Sequence, residues 1–268
     1  MYKAIFIDID GTLRDNNENI SDRTIKAIKK VTEKGILVIL CSGRPRKYTE
    51  NISRECKASS YIITSNGGSI YDYENNETLY INKMNKKAVI DLYKIAEKVN
   101  ARFIMHIADS IVVNRLKHSD ESELKTSIEE FVNENDIMQC VISDTDFEKI
   151  KSLKEKIEKV KNIEIKNQHK NLIDETVPRK GSAYYDVASI ESNKGNAITE
   201  FCKILNIDLK DVVAIGDSIN DISMFEVVGH SVAMGNASDK VKEYADEVTA
   251  SNENDGVAVF LEKIVSEI

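Results

Sequence analysis

The sequence predicts an α/β protein, a doubly wound parallel sheet with an α+β domain inserted into it, and three observations carry the prediction. Short apolar runs closed by acidic or small residues occur in two blocks, one near each end of the chain. Helix signals fill the gaps between those runs, and the stretch separating the blocks changes to a hairpin-like pattern. At 268 residues the chain exceeds the usual size of one domain, and its 41% hydrophobic and 31% charged content belongs to an ordered globular protein.

Residues 4–9 are apolar apart from Asp8, as in a central strand buried on both faces. A helix follows from the N-cap Ser21 through Lys34, where Gly35 stops it. Residues 36–41 and 61–64 read as the second and third strands, and strand, helix, strand at this spacing implies right-handed crossovers. The same grammar returns at 212–215, closed by Gly216, and at 231–234, closed by Gly235, with helices expected over 194–205 and 255–268. Together these blocks predict a Rossmann-like core. Between them, 102–107 and 111–115 form a hairpin around Ala108-Asp109-Ser110, 147–160 a surface helix and 163–165 a strand. The core is therefore expected over 1–81 and 184–268, and the inserted domain over 82–183.

Charge and cysteine usage exclude several classes of function. A net charge of -8 with a pI near 5.2 argues against nucleic acid, which needs a clustered cationic surface. The densest lysine stretch, 149–166, alternates Lys with Glu and apolar residues, as on a solvated helix face. Cys41, Cys56, Cys140 and Cys202 form no C-x-x-C pair, so neither zinc nor disulfides are expected, and reduced thiols fit a cytoplasmic location. The N-terminal apolar run is too short for a signal peptide, and no stretch is long enough to cross a bilayer, so no membrane partner is expected. A small-molecule partner and a monomer or weak homodimer are expected.

The chemistry concentrates at predicted strand ends. Asp8-Ile9-Asp10-Gly11-Thr12-Leu13 follows the first strand, where open parallel sheets bind ligands. Two carboxylates at i and i+2 can divide the work, one attacking an electrophile and the other exchanging a proton with the leaving group. Gly11 permits a sharp turn, and Thr12 offers a hydroxyl to an oxyanion. D-x-D-G also opens calcium loops, but Glu18 misses the required spacing by one residue and a strand precedes the motif. Ser42-Gly43-Arg44 follows the second strand with hydroxyl and amide donors for a substrate phosphate. Lys194 opens a helix, placing an ammonium where it balances carboxylate and phosphoryl charge. Gly216-Asp217-Ser218-Ile219-Asn220-Asp221 adds two carboxylates and an amide, and hard oxygens from two strand ends suit Mg2+. The same string also suits a helix N-terminus, and the two roles are compatible.

In this order, the four pieces resemble the signature motifs of the haloacid dehalogenase (HAD) superfamily. The insertion between the second and third, with Asn66-Gly67-Gly68 and the tail Val232-Ala233-Met234-Gly235-Asn236-Ala237, is similar to the Cof-like hydrolase branch with its type IIB cap. The resemblance implies that Asp8 is the nucleophile and Asp10 the general acid and base. It implies Mg2+ held by the Asp8 carboxylate, the Asp10 main-chain carbonyl and Asp217, with Asp221 alongside. Ser42, Gly43, Lys194 and Asn220 are implied phosphate contacts, and the cap is implied to set substrate specificity. The chain departs from the family's Pro-x-Gly-x-Ser lead-in at 189–193, just before Lys194. Because Asp10 is present, the resemblance implies a phosphatase or mutase rather than an ion-pumping ATPase.

The expected activity is Mg2+-dependent hydrolysis of a small phosphorylated metabolite through an aspartyl-phosphate intermediate. Sugar phosphates, pyridoxal phosphate and flavin mononucleotide are all consistent with the resemblance. A phosphomutase would share this core, and a non-catalytic phospholigand-binding module would keep the fold, although nothing in the sequence favours lost activity. His106, His118, His169 and His230 lack metal-ligand spacing; His106 and Arg115 lie in or beside the predicted hairpin, where either can face substrate. Gly67-Gly68 lacks the dinucleotide spacing and reads as a turn near the active-site rim.

Overall fold

β1 (Ala4–Ile7) is buried along its whole length, with Ile5 and Ile7 entering one apolar cluster and Ala4 and Phe6 another. The same split recurs in β2 (Leu37–Cys41), where Val38 and Leu40 oppose Ile39 and Cys41. Successive side chains of a strand point to opposite faces, so an unbroken apolar run means a sheet covered on both sides. The computed structural model describes residues 2–169, 172 and 181–267. These separate into two units, Met1–Tyr80 with Asn193–Ile268, and Ile81–Ser192.

The first segment adds α1 (Asp22–Glu33), α2 (Arg46–Cys56), β3 (Tyr61–Thr64), β4 (Ser69–Asp72) and β5 (Glu77–Ile81). Ser21 caps α1 as expected, its side chain accepting from the Thr24 N–H. The insertion supplies α3 (Lys86–Lys98), β6 (Arg102–His106), β7 (Ile111–Val113), β8 (Glu121–Glu123), α4 (Ile128–Glu134), β9 (Gln139–Asp144), α5 (Phe147–Lys151), α6 (Lys154–Glu158), β10 (Ile163–Gln168) and β11 (Ala183–Ser189). The chain then returns with α7 (Lys194–Ile204), β12 (Val212–Gly216), α8 (Ile222–Phe225), β13 (His230–Ala233), α9 (Asp239–Lys242), β14 (Glu247–Val248) and α10 (Gly256–Glu267).

The strand order of the core sheet is β14-β13-β12-β1-β2-β3-β4-β5. It is parallel from β14 to β3, and β4 then pairs antiparallel to β3, so the expected parallel sheet carries an extension that was not anticipated. The tight turn after β3 leaves no room for a crossover helix, which forces the reversal. α1 and α10 pack on one face through Ala27, Ile28, Phe260 and Leu261, while α7 packs on the other through Ile198 and Phe201.

The inserted unit has the strand order β10-β11-β9-β6-β7-β8. Only alternate residues, such as Phe103 and Met105 on β6 and Cys140 and Ile142 on β9, enter its apolar cluster with Val89 and Leu92 of α3. The expected hairpin is β6–β7, paired antiparallel. Two expectations need correcting. The insertion ends at Ser192 rather than 183, because β11 pairs along its length with β9 and belongs to their sheet. The single helix expected over 147–160 is two short ones, α5 and α6, and the link between them buries Leu153. Among the described residues, no helix is long and apolar enough to cross a membrane.

Candidate active site

Because β1, β2, β3 and β12 run parallel, their carboxyl ends share one edge of the sheet. β1 lies between β12 and β2, the point at which strand order reverses and where such sheets bind ligands. Asp8 follows β1, Ser42 follows β2 and Asp217 follows β12. Lys194 starts α7, whose N-cap Asn193 accepts from the Asn196 N–H at 2.7 Å. The unusual lead-in at 189–193 therefore still caps the helix that carries the lysine.

Asp8, Lys194 and Asp221 are buried together, with relative exposures of 5%, 1% and 0%. The Lys194 ammonium donates to Asp8 Oδ1 and, at 2.6 Å, to Asp221 Oδ1. Asp221 Oδ2 accepts from the N–H groups of Asp217 at 3.0 Å and Ser218 at 2.9 Å, so it also braces the loop after β12. One carboxylate oxygen each from Asp8, Asp217 and Asp221 lies within 4.8 Å of the others. Three carboxylates thus face one ammonium. Burial pushes the Asp8 carboxyl well above the usual range; Lys194 opposes the shift, and Asp221 and Asp217 add to it. Burial alone would lower the Lys194 pKa, but its pairing with Asp221 and Asp8 raises it instead.

Close packing fixes this geometry. Gly11 has φ +90, and a Cβ added there would lie 2.5 Å from Asp217 Oδ2, so both backbone and space require glycine. At Gly216 an added Cβ would lie 2.6 Å from the Asp221 Cβ. Ahead of the cluster, Asp10 is held by Arg44, whose Nε and Nη2 donate to its two carboxylate oxygens at 2.9 and 3.0 Å. The Arg44 guanidinium also stacks over the Tyr48 ring at 4.8 Å, and Arg14 donates to the Tyr48 hydroxyl at 2.7 Å.

Residues 5–261 match the haloacid dehalogenase-like hydrolase family. The chain belongs to that family. It is 31% identical to the 5-amino-6-(5-phospho-D-ribitylamino)uracil phosphatase YcsE of Bacillus subtilis (strain 168), covering 96% of this chain and 93% of that one. YwtE, a phosphatase of the same description from the same organism, is 29% identical over 98% of both chains. Among solved structures, the HAD subclass IIB sugar phosphatase BT4131 is 25% identical with a TM-score of 0.78, covering 98% of each chain. This HAD hydrolase is a phosphatase.

Of the residues singled out in the sequence, the phosphatase fold brings Asp8, Lys194, Asp217 and Asp221 into one cluster, with Asp10 paired to Arg44. Three expected substrate contacts have protein partners instead of standing open. Thr12 donates its hydroxyl to Asp217 Oδ1 at 2.7 Å, Arg44 is committed to Asp10, and Asn220 donates to Asn66 Oδ1 at 3.2 Å. The Thr12 hydroxyl orients the Asp217 carboxylate. Asn66, Tyr48 and Ser218 make contacts at this edge and were not among the expected site residues; the signal available for the first was an Asn-Gly pair one residue past the end of a strand, which favours a left-handed turn.

Of the remaining candidates, His230 lies in the core at the start of β13, the opposite end of that strand from this edge. His230 stacks between Tyr2 and Phe260 and meets Glu247 at 3.2 Å, a structural setting. His106 and Arg115 belong to the inserted unit, where Arg115 donates to the Asn100 carbonyl. All four cysteines are buried free thiols, and burial pushes the Cys56 pKa up to about 12, so none is a nucleophile.

The acidic cluster fits a divalent cation on its own chemistry. Its donors are all hard oxygens, and its negative charge exceeds what one lysine balances, so a cation would offset both the burial that raises Asp8 and the neighbouring carboxylates that add to it.

Proposed function

We propose that this phosphatase is Mg2+-dependent and hydrolyses small phosphomonoesters through an aspartyl-phosphate formed on Asp8. One observation carries the reading: the Asp8 carboxylate is buried at the sheet's switch point, paired with Lys194 and within 4.8 Å of oxygens on Asp217 and Asp221. Asp8, Asp217 and the Asp10 main-chain carbonyl would hold the ion, with Asp221 bracing them. Bound there, Mg2+ would neutralise the carboxylates and polarise the phosphoryl group.

Asp8 attacks phosphorus in line, the bond to the ester oxygen breaks, and Asp10 gives its proton to the departing oxygen. Water then attacks the acyl phosphate, Asp10 takes its proton, and inorganic phosphate leaves. Lys194 keeps Asp8 oriented and offsets its charge, while Ser42, Gly43 and Asn220 hold phosphoryl oxygens. The Arg44–Asp10 pair has side chains 46% and 43% exposed, so it holds weakly and opens when a substrate phosphate competes for the guanidinium.

Sugar phosphates, pyridoxal phosphate and flavin mononucleotide are the substrates we assign as a class. Phosphorylated sugars and polyols come first, because relatives are named for a phosphoribitylamino compound and for sugar phosphates. Choice among these esters falls to the inserted unit, Ile81–Ser192.

Asp8→Asn is expected to lower p-nitrophenyl phosphate hydrolysis by at least about a thousandfold while the chain stays folded. Chelation by EDTA abolishes the parental rate, and added Mg2+ restores it. A folded Asp8→Asn variant working at the parental rate would overturn the mechanism. A panel of metabolite monophosphates with released phosphate as readout names the substrate.

A further inference from the structure

Asn66 is 2% exposed and touches two separate segments of the site, Ser42-Gly43 and Asn220. Its N–H donates to the Ser42 carbonyl at 3.1 Å, and its side-chain Oδ1 accepts from Asn220 Nδ2 at 3.2 Å. Gly43 lies so close that an added Cβ would stand 2.8 Å from Asn66 Nδ2. The next residue, Gly67, packs directly on the backbone carbonyl of Asn193, which caps the helix that opens with Lys194.

This contact set is bought with unusual backbone. Ser65, Asn66 and Gly67 have φ values of 52, 55 and 85, three successive left-handed residues of which only one is glycine. Strain retained at a strand end on the site edge points to a role for the side chain it presents. An asparagine suits the position, because its short amide offers a carbonyl acceptor and an NH2 donor group on a backbone that tolerates positive φ.

We propose that Asn66 is a positioning residue for the phosphoryl group, setting the spacing between Gly43 and Asn220 so that both reach the same anion. This rests on the assignment of those two residues to the phosphate. Asn66 itself acts through them.

Asn66→Gly tests the proposal because it keeps the left-handed backbone at no strain and removes only the amide. The expected result is a melting temperature at or above the parental value. KM for p-nitrophenyl phosphate and the inhibition constant for inorganic phosphate should both rise about tenfold, with kcat within about threefold. In the Asn220→Ala background, the same change should have little further effect. Unchanged KM and phosphate inhibition, or losses that simply follow a fall in melting temperature, would overturn it.

Asn66→Asp, isosteric and tolerant of the same φ, serves if the glycine variant does not fold. It sets a negative charge beside Gly43 and should raise both constants further, and parental constants in that variant count against the proposal. Parental protein and Asp8→Asn are assayed alongside, so that failure of the aspartyl-phosphate reading shows independently of anything at residue 66.

Discussion

Both units are sheets covered by helices, yet they distribute their buried polar groups in different ways. In the core, Asp8, Ser42, Ser65, Asn66, Lys194 and Asp221 are buried near one edge of the sheet. In the inserted unit, the described buried polar residues are His106 and Gln139, which pair across β6 and β9, Ser143 further along β9, and Ser192 past the end of β11, while an ion pair, Arg102 with Glu121, joins β6 to β8. The cause is strand direction. Parallel strands bring every carboxyl end to the same side, so loops from distant parts of the chain meet there. β6, β9 and β11 alternate in direction, which sends successive loops to opposite sides. A parallel sheet collects chemistry at one edge, and an antiparallel one disperses it.

Removing one charge from each unit should have unequal effects. Lys194→Met leaves the core's carboxylates without their ammonium and should cost about 3–5 kcal/mol in urea unfolding, because a buried pair loses one partner. Activity should fall with it, and added Mg2+ should recover part of the stability. Stability unchanged from the parent would mean that the cluster is not the tightly coupled unit described above.

Arg102→Ala should have the smaller effect, about 1–3 kcal/mol, read by hydrogen exchange at β6 and β7 amides. Its pH dependence sharpens the contrast. Burial opposes ionisation of Glu121, but donation from Arg102 and from the Lys117 and His118 N–H groups holds its carboxyl below the usual 4.5. A depressed folded pKa means the stabilisation is complete above pH 4.5 and drains away as pH falls through the folded value. The Arg102→Ala penalty should therefore shrink as the solution is acidified below that point. A penalty constant with pH would exclude the ionised Glu121 as its source.

The smallest effect belongs to exposed pairs of either unit. Lys87→Ala removes the 2.8 Å contact to Asp91 on α3 and should move the melting temperature by no more than about 1 °C.

Strands buried on both faces announce themselves as unbroken apolar runs, which is why β1, β2 and β12 and the acidic turns that follow them were legible in the sequence. β9 and β11 were not, because strands with one buried face mix polar and apolar residues, as Gln139 and Ser143 do among Cys140 and Ile142. That blind spot placed the end of the insertion too early.

Local strings at strand and helix ends were enough to single out Asp8, Asp10, Lys194 and Asp217 as candidates and to give their order along the chain. Tertiary structure alone decided their partners. Thr12 serves Asp217 across 205 positions, and Asn220 reaches Asn66 across 154. No local pattern encodes such a pairing, because it depends on how strands distant in the chain come to lie side by side.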